Sequence, residues 1–137
     1  MTCADGPTCP DNYIRWSENN MCYLHLPTAT WESGNQTCVE NGGHLASIHS
    51  EEENTFVAVT MGLSASYTYF GLFHNGAELV WTDGTPIDYT NYGAEPSSSA
   101  PYGSISESGV GVWGPHGDPQ HTHSAVCKMA PVASGND

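Results

Sequence analysis

The stretch of the chain with the most chemistry in it is His116-Gly117-Asp118-Pro119-Gln120-His121-Thr122-His123. His121 and His123 stand two apart, so an extended backbone turns both imidazoles to one face. His116 and Asp118 can fold back across Pro119 to join them. Three imidazoles and a carboxylate match the donor set of a tetrahedral zinc site, and imidazole also suits copper and nickel. The competing reading is a solvent loop rich in Gly and Pro that happens to carry histidines. His25 and His49 are expected at the surface or in packing.

Nothing in the chain points to catalysis. It has no Gly-x-Ser-x-Gly, no His-Glu-x-x-His and no glycine loop that would cradle a phosphate. The run Glu51-Glu52-Glu53 is accounted for by a helix N-terminus, where negative charge is favourable. The 137 residues carry 15 acidic side chains against Arg15 and Lys128 alone, a formal charge of −13. Nucleic acid is excluded as a partner, because neutralising phosphates needs clustered Lys and Arg. Docking on anionic lipid is disfavoured for the same reason. Acidity suits cations, polyhydroxyl ligands, basic partners or mineral surfaces. Only 12% of residues are charged, and Gly, Pro, Ser and Thr are abundant, so this is no acidic disordered tail.

No apolar run approaches the roughly 20 residues of a bilayer span. The sequence opens Met1-Thr2-Cys3-Ala4 with no basic-plus-apolar leader, so either a leader has been removed or the protein is cytosolic. Cysteine usage decides. Five cysteines, at 3, 9, 22, 38 and 127, with no Cys-x-x-Cys, read as a disulfide framework built in an oxidising compartment. Asn35-Gln36-Thr37 is an N-glycosylation sequon, usable only in a secretory pathway. The chain is therefore expected to be secreted and extracellular, a glycoprotein glycosylated at Asn35.

The elements that must position these groups read as one α+β domain over residues 9–130, with tails at 1–8 and 131–137. Tyr23-Leu24-His25-Leu26 alternates as a strand and is expected to stop at Pro27. Thr30 is the N-cap of a helix from Trp31 to about Asn41, closed by Gly42-Gly43, with Trp31, Gly34 and Cys38 near one face. Ser50 and Glu53 form a capping box, and Phe56, Val59 and Leu63 supply the apolar stripe of the helix it opens. Tyr67 to Phe73, Leu79 to Trp81, Val110 to Trp113 and Ser124 to Lys128 are β-prone. Between Thr85 and Gly111 runs a long loop, of the kind that carries function in compact domains.

Taken in order, several of these pieces resemble the C-type lectin-like domain, in its long form. They are Cys9-Pro10-x-x-Tyr13, Cys22-Tyr23, Thr30-Trp31 with Cys38, and Gly43-His44-Leu45-Ala46-Ser47-Ile48. Ser50-x-x-Glu53-x-x-Phe56, Phe70-Gly71-Leu72, Trp81-Thr82-Asp83-Gly84, Tyr89-x-Asn91-Tyr92, Trp113 and Ala125-Val126-Cys127 continue the series. The resemblance implies two helices flanking small antiparallel sheets, a long loop excursion, and disulfides Cys9–Cys22 and Cys38–Cys127. Cys3 is then left over, either a free tail thiol or an interchain bridge for self-association.

The departures from the family pattern bear on function. The family's other disulfide would fall at Ser104 and Asp118, so it is missing. Sugar-binding members hold calcium with Glu-Pro-Asn in the long loop and Asn-Asp after the tryptophan; here stand Glu95-Pro96-Ser97 and Trp113-Gly114-Pro115. Calcium takes six to eight hard oxygens, and only Glu95, Ser97 and Glu78, at the place of an auxiliary carboxylate, remain to supply side-chain donors. A cis peptide before Pro96 is implied, aiming Glu95 and Ser97 to one side. Tyr92, Tyr102 and Trp113, with Tyr89, are the candidates for stacking on a sugar. The implied function is a secreted module binding glycans or glycoproteins through the long loop, over an incomplete calcium site. The alternative is calcium-independent protein association or self-assembly through the same loop.

Overall fold

A computed structural model describes residues 8–61, 67–106 and 111–132. Cys3, Leu63 and Val110 lie outside the described residues. The strands are β1 (Ile14–Arg15), β2 (Cys22–Ala29), β3 (His44–Leu45), β4 (Thr68–His74), β5 (Leu79–Trp81), β6 (Tyr102–Ser106), β7 (Val112–His116) and β8 (His123–Met129). The helices are α1 (Trp31–Glu40) and α2 (Glu51–Thr55), the latter running on as a π-helical turn through Phe56–Met61.

β8 is the hub. One edge pairs antiparallel with β2, Leu24 opposite Cys127. The other edge is shared between β3, at Cys127 and Lys128, and β4, which runs parallel at Ser124 and Ala125. The sheet continues outward from β4 through β6 to β7, with β5 on β4 as a hairpin partner. Gly71 permits this crowding, since a Cβ there would stand 2.5 Å from the Leu45 carbonyl oxygen. Outside the ends assigned to the domain, Thr8 and Val132 exchange two backbone hydrogen bonds of 2.7 and 2.8 Å.

α1 begins where the sequence places it. Thr30 accepts from the Ser33 N–H, Ser33 reciprocates to the Thr30 N–H, and Trp31, Gly34 and Cys38 are buried. Cys38 is bonded to Cys127 and Cys9 to Cys22. The first of these bridges spans 89 residues, which in the chain-entropy model restricts the unfolded state by somewhat under about 5 kcal/mol. Several expectations need correction. β2 runs through Pro27 to Ala29, because its register slips between Leu26 and Ala29 and the residue without an N–H falls in that irregularity. Phe56 and Val59 do not form the buried stripe. The inward face is Asn54, Val57, Ala58 and Met61, with Val59 42% exposed. A small Ala and a polar Asn disguise that 3-4 spacing in the sequence. The loop from 85 to 111 also contains strand β6, whose Gly and Ser residues hide its pairing with β4 and β7.

Asn54 is buried for a reason. Its Oδ1 accepts from Trp113 Nε1 at 2.6 Å and its Nδ2 donates to the Gly111 carbonyl at 3.0 Å. Ser50 caps α2 as expected, accepting from the Glu53 N–H at 3.0 Å, but the Glu53 side chain does not complete a capping box. It turns inward instead. Glu53 Oε2 meets Lys128 Nζ at 2.5 Å and accepts from Tyr23 Oη at 2.6 Å, while Oε1 accepts the His49 N–H at 2.9 Å. Lys128 also donates to the Ser47 carbonyl at 3.0 Å. Both charged side chains are over nine-tenths buried. Burial foremost, and the adjacent Glu53 charge, push the Tyr23 hydroxyl far above its ordinary range.

The same network reaches Asp83. Burial alone would raise its carboxyl, but hydrogen bonds from Ser47 and Thr85 and the field of Lys128 together outweigh this and hold it low.

Two outcomes follow from this network. Lys128→Ala leaves Glu53 buried and uncompensated and is expected to cost about 3–5 kcal/mol in urea unfolding. Glu53→Gln combined with Lys128→Met is expected to cost less than the two single changes summed. For Asp83, whose folded carboxyl lies below its unfolded value of about 4, the stabilisation is present above that pH and is lost as pH falls through the folded value. Asp83→Asn is expected to flatten the acid limb of a melting-temperature profile below about pH 4.

Candidate functional site

The end of β7 and the start of β8 lie on either side of β4 in the sheet, and they bring His116 and His123 together. Their ring centroids are 5.0 Å apart. His121, from the connection between the strands, meets His123 edge-on at 4.6 Å and lies tilted 6.0 Å from His116. One ring nitrogen of each histidine falls within 4.8 Å of the other two. The floor is aromatic: Tyr67 and Tyr69 meet both His116 and His123 edge-on at 5.3–5.6 Å. Burial, and then the neighbouring imidazoles, lower the pKa of His116 and of His123, which favours neutral rings. His123 Nε2 is buried without a hydrogen-bond partner.

Asp118 does not join them. Its carboxylate accepts the Gln120 N–H at 2.9 Å and its carbonyl accepts the His121 N–H at 3.2 Å, an Asx turn that shapes the connection. His116 lies in a strand, not in a solvent loop, since β7 continues through Gly114 and Pro115 and pairs His116 with Tyr102.

The long loop packs over β7. Trp113 is fully buried, with Phe70, Trp81, Tyr89 and Tyr92 edge-on around it, which removes it from the stacking candidates. Tyr92 is half-buried against it. Tyr102 stacks on Trp31 at 5.3 Å and donates to Glu32 at 3.1 Å, so its ring is engaged within the fold. Glu95 and Ser97 are exposed on either side of buried Pro96. The Glu95–Pro96 peptide is trans, contrary to the expectation, and Ser97 and Ala100 close the turn with two mutual backbone bonds of 3.0 and 3.1 Å. Glu78 sits in the β4–β5 turn, where Asn75 Oδ1 accepts its N–H at 2.9 Å. Among the described residues, Glu78 and Glu95 belong to no cluster of three potential metal-binding side chains.

The loop opens a cleft of about 380 Å³ lined by Tyr67, Gly93, Ala94, Val112 and Gly114, and Glu95 follows Ala94 in the chain. Tyr67 is 44% exposed and Val112 36%. The sequence reading missed both as site residues, because each lies in a β-prone run where an aromatic or branched side chain is expected to pack inward. Asn35 is also not where a sequon suggests. It lies mid-helix in α1, half-buried, its Oδ1 accepting the Leu45 N–H at 3.4 Å.

A second concavity, of about 590 Å³, opens beside Ser47, His49 and Asp83, with Trp16, Glu18 and Glu52 at its rim. His49 Nδ1 lies 2.7 Å from Asp88 Oδ1 and its Nε2 3.2 Å from Ser47 Oγ, the connectivity of a nucleophilic triad. The hydrogen bond from His49 is the main cause that holds the Asp88 carboxyl low. Ser47 is only 1% exposed, and its hydroxyl donates to Asp83 at 2.5 Å. The Ser47 proton is thus committed to Asp83 and not to His49, and the arrangement ties the 47–49 turn to the 83–88 loop.

Comparison with known proteins agrees with this architecture. The calcium-independent type II antifreeze protein superposes with a TM-score of 0.78 at 26% identity, covering 92% of this chain and 97% of that one. The cow C-type carbohydrate-recognition domain of CD23, solved with an oligosaccharide, gives 0.76 at 26% identity, over 90% and 97%. In sequence, lactose-binding lectin l-2 of Anguilla japonica is 36% identical over 80 residues, 56% of this chain and 47% of that protein. The type-2 ice-structuring protein of Hemitripterus americanus is 34% identical over 90 residues, 63% of this chain and 52% of its own. The match thus spans about half the length of these curated relatives. Domains of this family are binding modules. Residues 27–129 match the model for the lectin C-type domain, and with its two disulfides, two helices and looped sheet in place the chain belongs to the C-type lectin domain family.

Proposed function

We propose that this domain is an extracellular carbohydrate-binding module that takes its ligand on the long-loop surface without a bridging calcium ion. The observation that carries the reading is Tyr67, an exposed ring on a cleft of about 380 Å³ that Gly93, Ala94 and Val112 also line. A sugar offers an apolar C–H face to an aromatic ring and a rim of hydroxyls to a carboxylate. Tyr67 and Val112 supply the first. Glu95 and the hydroxyls of Ser97 and Ser99 supply the second, with Tyr92 fixing the loop against Trp113. Gly114 and Pro115, which bring no side-chain oxygen, argue against an ion of six to eight oxygen ligands at this place.

Similarity to a lactose-binding lectin and to a domain solved with an oligosaccharide supports a glycan as the ligand. Two disulfides support an oxidising, extracellular setting. No helix among the described residues is long and apolar enough to cross a membrane.

The test is a glycan array followed by titration of the best ligand, in EDTA and again with added calcium. Binding is expected in both conditions. Tyr67→Ala is expected to weaken it about tenfold, as loss of one aromatic face does, and Glu95→Gln to weaken it as well. Binding that appears only with calcium would overturn the calcium-free reading. Absence of any glycan ligand for a correctly folded chain would sink carbohydrate recognition and leave protein association by the same loop.

A further inference from the structure

We infer that His116, His121 and His123 form a binding site for a divalent zinc-type cation, with three imidazole ligands and one open coordination position. The inference stands on the triad alone and is independent of carbohydrate binding. Three nitrogens already lie within 4.8 Å of one another. Around a tetrahedral zinc, with Zn–N near 2.0–2.1 Å, ligand nitrogens are about 3.4 Å apart, so the widest pair must close by about 1.4 Å. The structure assigns that movement to the exposed side chain of His121, by rotation on a fixed backbone, while His116 and His123 are held in strands.

Three further features distinguish the group from incidental packing. First, His123 Nε2 is buried and has no hydrogen-bond partner, an arrangement that costs free energy until something bonds that atom. Second, the ligand carried by the loop is oriented from behind. Tyr69 Oη donates to the His121 carbonyl at 2.8 Å, and the Asp118 turn holds the His121 N–H, so the backbone that presents this imidazole is fixed at both of its polar groups. Third, the rings of Tyr67 and Tyr69 pack edge-on against His116 and His123 and cover part of both.

The donor set selects the metal. All three donors are imidazole nitrogens, which suit zinc and its neighbours in the transition series and not calcium or magnesium, which take oxygen. Three protein ligands leave a fourth position, and it falls on the solvent side, where His121 is exposed. Bound there, the ion would fasten residues 117–122 to the ends of β7 and β8.

The experiment uses the whole chain, freed of metal with EDTA and dialysed, at neutral pH. Zinc alone is titrated by calorimetry and by thermal melts, with calcium as the comparison, and cobalt(II) is added separately to read geometry by its visible absorption. One zinc per chain is expected, with a melting temperature about 5–10 °C higher when zinc is a hundredfold above its Kd. Calcium is expected to leave the melting temperature unchanged. Cobalt is expected to give the intense bands of a four-coordinate complex. His121→Ala, a change at an exposed position that leaves the fold intact, should weaken zinc binding about a hundredfold, and Tyr69→Phe, which removes only the support behind it, about tenfold. No zinc-dependent shift in the native chain would overturn the inference. So would a shift of the same size in His121→Ala, because the ion would then be held elsewhere.

Discussion

The buried pair of Glu53 and Lys128 is the constraint on which the rest of this fold turns. The chain has only two basic residues, and one of them is placed in the interior. An ion removed from water is tolerated only where its partners are complete. Here they come from four separate pieces of chain: Lys128 from β8, Glu53 from α2, Tyr23 from β2 and Ser47 from the turn after β3. None of these groups can move without stranding another. The pair therefore adds little net stability relative to a hydrocarbon core, but it admits one arrangement of helix against sheet.

That arrangement reaches the long-loop half of the molecule through Asn54, the neighbour of Glu53. Its amide holds both the Trp113 indole and the Gly111 carbonyl, so α2 sets the position at which β7 enters the sheet. Gly111 has a positive φ of 86° and sits so tightly against the Asn54 amide that a Cβ has no room. Trp113 then acts as the post around which Tyr89 and Tyr92 of the long loop are arranged. Where the family resemblance implied a further disulfide and calcium, this region has a packed indole, strand pairing of β6 with β7, and the imidazole cluster beyond it. Acidic net charge is compatible with this design because the carboxylates with structural roles, Glu53 and Asp83, are each met by hydrogen-bond donors.

Cleft and triad share Tyr67, whose ring lines one and floors the other. The buried Trp113 and the engaged Tyr102 show how the fold divides its aromatic residues. Rings on β-strands that face α1 or the core become structure, and Tyr67, just before β4, keeps part of its ring exposed.

Local rules made much of this legible in the sequence. Thr30 as N-cap, the Trp31/Gly34/Cys38 face and the Ser50 cap follow from hydrogen bonds and periodicity within a few residues, and the structure reproduces them. The disulfide pairs and the fold class followed from the ordered family pattern. What failed were inferences requiring knowledge of a distant partner. The inward face of the helix after Ser50 is marked by Asn54 and Ala58, whose burial makes sense only once Trp113 is placed. Strand β6 has no hydrophobic alternation of its own and exists because β4 and β7 flank it. The histidines illustrate the division most directly. Their types and spacing named a chemistry from sequence alone, because imidazole is a ligand wherever it stands. Only the tertiary structure decided that three of them converge while Asp118 turns away, because convergence depends on the positions of β7 and β8 on either side of β4, and no local rule encodes that distance.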